Sequence, residues 1–472
     1  MRAGPVLAAT LETDPERSEV SRLGFFARLA RGLGIGHLLL FIFALHLFAL
    51  SFPSDTSNGS GLVFDESFYV TASHELLHGV ASNLEHPFFG KVWGVLGISI
   101  FGDNFFGWRI FYAVIGSLAV WMMYELARNF FTKEKALLAA SMLAFENIFF
   151  IHTSLLLLDG PPVLFALAGF LAYFKRRFFL SALAFGLSIL SKESGVFFLL
   201  ALVLYHVWAK RKNLRISLRP IALRKVLAFA VILSLVVGLP LWGYDAAYHP
   251  SAKSTVLVQQ TVVVDPATNQ TVTSTKTSTI HSDNVTNPLQ NFAYYFTYQS
   301  SLTGCGKVDQ WNCYPWSWIL PFGVTPLQYY VSTVTVTSRA PDGSPLSITK
   351  FHPIDWQGIG NLVVWYSIWL VVPVVAWKLI RRSATEADVL SGCLIAATYL
   401  PLAYISLVSH RVEYAFYFLN TDVGLALGIP LVIGFAARGN ERTERLLIFL
   451  WLAAAVVFFL AYFPVNPFAF RS

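Results

Sequence analysis

Apolar runs long enough to cross a bilayer recur along this chain, and short clusters of Lys and Arg separate them. A spanning helix needs about 20 mostly apolar residues. With that window eleven runs stand out, at about 36–52, 108–127, 136–152, 158–174, 178–191, 194–208, 226–243, 359–377, 388–409, 412–435 and 446–463. Hydrophobic residues make up 55% of the chain and charged residues 13%, about half the charge of a soluble protein. That balance argues against a soluble enzyme and against disorder, and for an all-α polytopic membrane protein. The net charge of +7 is no nucleic-acid signal, because the cations sit between the apolar runs. Three cysteines are too few for a disulfide scaffold.

Cytoplasmic loops of membrane proteins are enriched in Lys and Arg. Arg17, Arg22, Arg28 and Arg31 precede the first run, which places the N-terminus in the cytoplasm. That run starts about 35 residues in and lacks an Ala-x-Ala site, so it reads as a signal anchor. Alternation then puts five further clusters inside: Arg128/Lys133/Lys135, Lys175–Arg177, Lys210–Lys225, Lys378/Arg381/Arg382 and Arg438/Arg442/Arg445. With Arg2, 24 of the 34 cations fall on that side, and Ser472 lies outside. The expected organisation is a membrane module over 1–243 with a long external loop at 53–107, an external segment over 244–358, and closing helices over 359–472. The external segment holds Val- and Thr-rich stretches at Ser254–Asp265, Asn269–Ile280 and Tyr330–Ser338, with turn residues between them. They predict a small β-rich insert. Asn58, Asn269 and Asn284 begin glycosylation sequons on this face. Cys305 and Cys313 lie in the insert and can pair in an oxidising compartment. Cys393 reads as helix packing.

Candidate chemistry concentrates in the first external loop. Asp65 and Glu66 are adjacent, and a like-charged pair raises at least one pKa, which suits a general base. The alternative is that Asp65 caps an interfacial helix over Glu66–Gly79 and Glu66 faces its positive end. Lys91, Arg109, Lys192 and Arg411 are cations on the outer side, against the inward trend. Charge near the bilayer core is costly and usually functional, and four cations suit a lipid phosphate. The alternative pairs Lys192 with Glu193 and Arg411 with Glu413. Asp159 is either a helix cap or a second site carboxylate. Glu146 lies within an apolar run and needs a partner, and His86 before Pro87 can position a substrate. No spaced His, Cys and Asp cluster points to a metal, and no glycine-rich nucleotide motif is present.

The ordered pieces Asp65-Glu66, His86-Pro-x-x-x-Lys91, Phe101-Gly-x-Asn-x-x-x-x-Arg109, Leu158-Asp159, Gly186–Lys192, Tyr314-Pro-Trp-Ser-Trp318, Gly360-Asn361-x-x-x-Trp365 and Tyr414–Leu419 resemble one family. It is that of the dolichyl-phosphate-mannose–protein mannosyltransferases, protein O-mannosyltransferases of glycosyltransferase family 39. The resemblance implies the GT-C fold with about 11 membrane helices. It implies inverting transfer of mannose from a polyprenyl (dolichyl) phosphate mannose donor to Ser or Thr hydroxyls of a protein, without a metal cofactor. By position, Asp65 is the base and Glu66 helps bind the acceptor. Arg109, Lys91 and Lys192 hold the donor phosphate, to which the outer-cation pattern adds Arg411, and His86, Asp159 and Trp316 are the candidate substrate contacts. The family further implies a home in the cell membrane (the ER membrane in a eukaryote) and pairing into dimers. The chain departs from the family at Phe88, where a second proline is usual. Its short Thr-rich insert replaces a larger external domain, in prokaryotic, archaeal-like style. Alternatives are a relative that moves another sugar, such as aminoarabinose, to a lipid or glycan, a secondary transporter, or a non-catalytic partner subunit.

Overall fold

The computed structural model describes residues 34–54, 61–210, 220–248, 256–264, 271–279, 287–304, 313–320, 326–339 and 345–465. The three sequons, Cys305, the N-terminal arginines and the predicted insert turns lie outside those residues.

The described chain is mostly helical. Ile35–Ala49 (α1) leads to two helices in the first loop, Glu66–Leu77 (α2) and Phe89–Phe101 (α3). Phe105–Ala127 (α4), Lys133–Ala144 (α5), Asn147–Ser154 (α6), Gly160–Phe174 (α7), Phe178–Ser191 (α8), Gly195–Lys210 (α9) and Pro220–Tyr248 (α10) complete the first half. After the insert, with Pro288–Ser301 (α11) and Pro315–Trp318 (α12), come Leu362–Trp365 (α13), Ile368–Ile380 (α14), Glu386–Ser409 (α15), Leu419–Ala437 (α16) and Glu441–Ala461 (α17).

An apolar helix stands at each of the eleven predicted runs. Among the described residues, six helices are long and apolar enough to cross a membrane, and α5 with α6 makes a seventh if the bent pair is one span. The helices at the other four runs, α1, α7, α8 and α9, are shorter, and the apolar α3 adds one inside the predicted loop. The chain is therefore a multi-pass membrane protein. α16 is buried along nearly its whole length. α10 and α17 turn Leu227, Val231, Leu235, Leu239, Trp242, Leu446, Phe449, Leu450 and Val457 outward, the pattern of helices whose solvent is lipid.

The run predicted as one helix over 136–152 is broken. α5 and α6 meet at 63°, and Glu146 is the reason. Its carboxylate accepts from the Phe149 N–H at 2.6 Å, capping α6, and from the Asn361 N–H at 2.8 Å. The Asn361 amide in turn donates to the Phe145 and Ala455 carbonyls, both at 2.8 Å. A break in lipid leaves backbone groups that need partners, and these two residues supply them. This is the partner that Glu146 required. At the turn into α4, Gly97 approaches so closely that a Cβ there would stand 1.8 Å from the Gly107 carbonyl oxygen.

All six described strands fall between Val256 and Gly358, in the predicted insert. They form three antiparallel pairs: Val256–Val264 (β1) with Thr271–Thr279 (β2), Leu327–Val331 (β3) with Asp355–Gly358 (β6), and Val334–Arg339 (β4) with Pro345–Phe351 (β5). The β3–β6 pair is the root of the insert. It is tied to the end of the last helix by an Ile354–Val465 bridge and by the Asp355 N–H bond to the Pro464 carbonyl, 2.9 Å. Cys313 is disulfide-bonded, and Cys393 is free.

Candidate active site

Two adjacent carboxylates enter α2 in different states. Glu66 is fully buried and accepts four hydrogen bonds. Its Oε1 takes the Arg109 Nε–H at 2.8 Å and the Leu156 N–H at 3.0 Å. Its Oε2 takes an Arg109 terminal N–H at 2.7 Å and the Val63 N–H at 2.9 Å. Arg109 gives its remaining donors to the carbonyls of Leu50 at 2.9 Å, Phe52 at 3.3 Å and Gly61 at 3.1 Å. A guanidinium has five N–H groups, and here all five are used by protein. Both side chains are 0% exposed. This corrects the expectations that Arg109 holds a phosphate and Glu66 an acceptor, because neither keeps a free hydrogen-bonding group. The pair staples α4, the loop before α2 and the segment after α6.

Asp65 stands at the N-cap position of α2, but its side chain makes no capping bond. Among the described residues it makes no hydrogen bond or ion pair. It is only half-buried by area, yet burial raises its carboxyl above the usual range, against the pull of Lys192, His86 and His152. Nearby Asp159 also stands at an N-cap without capping. Its oxygens go instead to Lys192 Nζ at 2.7 Å and His152 Nδ1 at 2.9 Å. Burial would raise this carboxyl, but Lys192 and His152 outweigh burial and hold it well below the usual range. The same pairing raises the Lys192 ammonium against its own desolvation. Thus neither aspartate caps its helix through its side chain.

Lys192 and Arg411 come together over one ring. Lys192 Nζ lies 5.3 Å and the Arg411 guanidinium 5.4 Å from the Tyr417 centroid, within cation–π range. Arg411 also bonds the Gln299 carbonyl at 2.8 Å and the Gln299 side chain, and it pairs with Glu413. Burial pushes the Glu413 carboxyl up to about 7, despite Arg411. Of the two ion pairs weighed as the alternative, Arg411–Glu413 forms and Lys192–Glu193 does not. Glu193 accepts instead from His86 Nδ1, at 2.9 and 3.1 Å. Burial opposes its ionisation, but His86 and Lys192 lower its carboxyl overall.

Lys91 is not placed for a phosphate either. Its buried ammonium donates to the carbonyls of Ser82 at 3.2 Å, His86 at 3.0 Å and Asn83. It fixes the loop that presents His86. Trp316 stacks on Tyr314 at 4.8 Å and meets no member of the charged cluster in the contacts described. The structure thus gathers Asp65, His86, Asp159, Lys192 and Arg411, and adds His152, Glu193, Tyr329 and Tyr417. His152 was legible in principle, since a histidine inside an apolar run is a costly polar group. Tyr329 carries no sequence signal, and it falls just before the β-like stretch at Tyr330–Ser338.

The described family "Dolichyl-phosphate-mannose-protein mannosyltransferase" matches residues 85–242. A polyprenol-phosphate-mannose–protein mannosyltransferase of Mycobacterium tuberculosis is 27% identical over 460 residues, covering 85% of this chain and 82% of that protein. The protein of the same description from Corynebacterium glutamicum is 23% identical over 523 residues, covering 98% and 93%. The fold matches the structure of the Saccharomyces cerevisiae protein O-mannosyltransferase Pmt1–Pmt2 complex bound to the sugar donor, with a TM-score of 0.64 at 13% identity, over 91% of this chain and 89% of that one. The fold is the GT-C fold of membrane glycosyltransferases. In sequence the chain is similar to the dolichyl-phosphate-mannose–protein mannosyltransferase family, over residues 85–242 for the family model and over most of its length for the curated relatives.

Proposed function

We propose that the protein transfers mannose from a polyprenyl-phosphate mannose to a Ser or Thr hydroxyl of a protein acceptor, with inversion, on the extracytoplasmic face. The observation that carries the mechanism is the state of Asp65. It is a desolvated carboxylate with no hydrogen-bond partner among the described residues, facing Lys192 and two histidines. In that state it can take a proton from an incoming hydroxyl, provided the two come within hydrogen-bond reach. The hydroxyl oxygen then bonds the anomeric carbon as the bond from that carbon to the phosphate oxygen breaks. The phosphate leaves with an added negative charge. Lys192, which makes one protein hydrogen bond, and Arg411 across the Tyr417 ring supply the opposing charge. Fixed cations at a developing anion are a large source of rate. Asp159 keeps Lys192 charged, and the proposed transfer uses no metal ion. The Glu66–Arg109 pair and Lys91 are assigned to scaffolding. Substrate contact remains assigned to His86 and is not assigned to Trp316.

The charge alternation supports a cytoplasmic N-terminus and an extracytoplasmic C-terminus. Pairing with a second chain is part of the proposal, by analogy with the two-chain Pmt1–Pmt2 complex.

Purified protein incubated with radiolabelled polyprenyl-phosphate mannose and a Ser/Thr-rich peptide should label the peptide, and a chelator should not inhibit it. Asp65→Asn should abolish labelling while the protein elutes and melts as wild type. Wild-type rates in that variant would remove Asp65 as the base. Label passing to lipid alone would replace the protein acceptor with a lipid one.

A further inference from the structure

We infer that Tyr329, on the first strand of the insert root, is a positioning residue that sets both the base and the phosphate-binding lysine. This inference rests on the proposed transfer reaction.

Tyr329 sits where the β3–β6 register slips. Gln328 pairs with Gln357 and Tyr330 with Trp356, which leaves Tyr329 without a partner of its own. Such bulges re-aim a side chain. Here the ring turns inward and is buried, while Gln328 is exposed and Tyr330 only partly covered.

Its face stacks on Phe64 at 4.1 Å and 5°, and Phe416 meets the same phenylalanine edge-on at 5.7 Å. Phe64 precedes Asp65 and has φ of +54°. A left-handed conformation is strained for a bulky residue, so surrounding contacts must hold it. The two rings do so, and the backbone they fix is the one from which Asp65 projects.

The hydroxyl of Tyr329 serves the other half of the site. It lies 2.9 Å from His152 Nε2, and His152 Nδ1 lies 2.9 Å from Asp159, which holds Lys192 at 2.7 Å. An ionised carboxylate only accepts, so Nδ1 carries a proton. In the neutral imidazole Nε2 then accepts from the tyrosine O–H. The chain Tyr329–His152–Asp159–Lys192 therefore orients the ammonium from a strand of the insert. Gly358, opposite on β6, is required for this fit. A Cβ there would fall 2.5–2.7 Å from the Tyr329 ring and hydroxyl.

The two roles separate by substitution. Tyr329→Phe keeps the stack and drops the bond to His152. It should raise the donor KM about tenfold, with acceptor KM unchanged and kcat near wild type. Tyr329→Leu loses both and should also lower kcat about a hundredfold, the scale of a displaced catalytic group. Gly358→Ala, which leaves the tyrosine in place but pushes on it, should follow Tyr329→Leu. Peptide labelling kinetics on folded, gel-filtered protein decide the matter. Equal losses of kcat in Tyr329→Phe and Tyr329→Leu, or wild-type kinetics in Gly358→Ala, would overturn the inference and leave the transferase reading intact. No transfer by the wild-type protein would overturn both.

Discussion

Glu66 saturates its two oxygens with four N–H donors, while the carboxylate one residue earlier has none among the described residues. Helical geometry produces the split, since adjacent side chains on a helix point about 100° apart. One reaches Arg109 behind the loop and the other faces Lys192. Sequence reading identified both residues and the outer cations, but not which cation each would meet. Four cations near one face suggested a common anion, and two of them instead bind backbone carbonyls, which residue identities do not disclose. The distinction is measurable. Arg109→Met and Lys192→Met each break a buried ion pair and should each cost about 3–5 kcal/mol in thermal melts. Of the folded protein that remains, only Lys192→Met should show a raised donor KM. A matching rise in Arg109→Met would return that arginine to the phosphate site. The base also makes a statement about pH. Asp65 works ionised and its carboxyl is raised. Activity should be full well above the raised value and lost as pH falls through it, with an apparent pKa above the ordinary aspartate value of about 3.9. An acid limb of kcat/KM at or below that value would contradict the desolvated base.

At the scale of elements, periodicity and apolar length found the helices and missed their interruptions. Residues 136–152 are apolar apart from Ser141, Glu146, Asn147 and His152, and nothing in the pattern shows that the carboxylate turns back to cap a new helix. α3 lies within the expected external loop at 53–107, and its 13 residues fall short of the window of about 20 that marks a span. The Val/Thr-rich alternation revealed β1, β2 and β4, but not β5, β6, most of β3 or the bulge at Tyr329. A bulge depends on partner register, which one strand alone does not encode. The break predicts its own fragility. Glu146→Ala removes the acceptor for two buried N–H groups. Unsatisfied buried donors cost about 1–3 kcal/mol each, so the melting temperature in detergent should fall clearly. An unchanged melt would mean that the bend is held by packing alone.

For the molecule as a whole, the charge alternation makes a claim about sidedness that can be read directly. Glu441→Cys should be labelled by an impermeant maleimide only from the cytoplasmic side. Phe296→Cys, in exposed α11, should be labelled only from outside. Labelling of both from one side would overturn the orientation, and with it the face on which the proposed reaction occurs. Composition alone sufficed to place this chain in lipid, because burial of apolar surface in a bilayer leaves a bulk signature. The meeting of Asp65, Asp159 and Lys192 has no such signature, as it joins stretches far apart in the chain through tertiary packing.

The grip of Lys91 on the loop before His86 carries a consequence for how this protein can vary. The ammonium holds main-chain oxygens of residues 82, 83 and 86, so it is indifferent to the side chains they bear. Ser82 is free to drift among descendants while the histidine keeps its station, whereas the lysine, and Asn83 at its left-handed φ of +49°, are not.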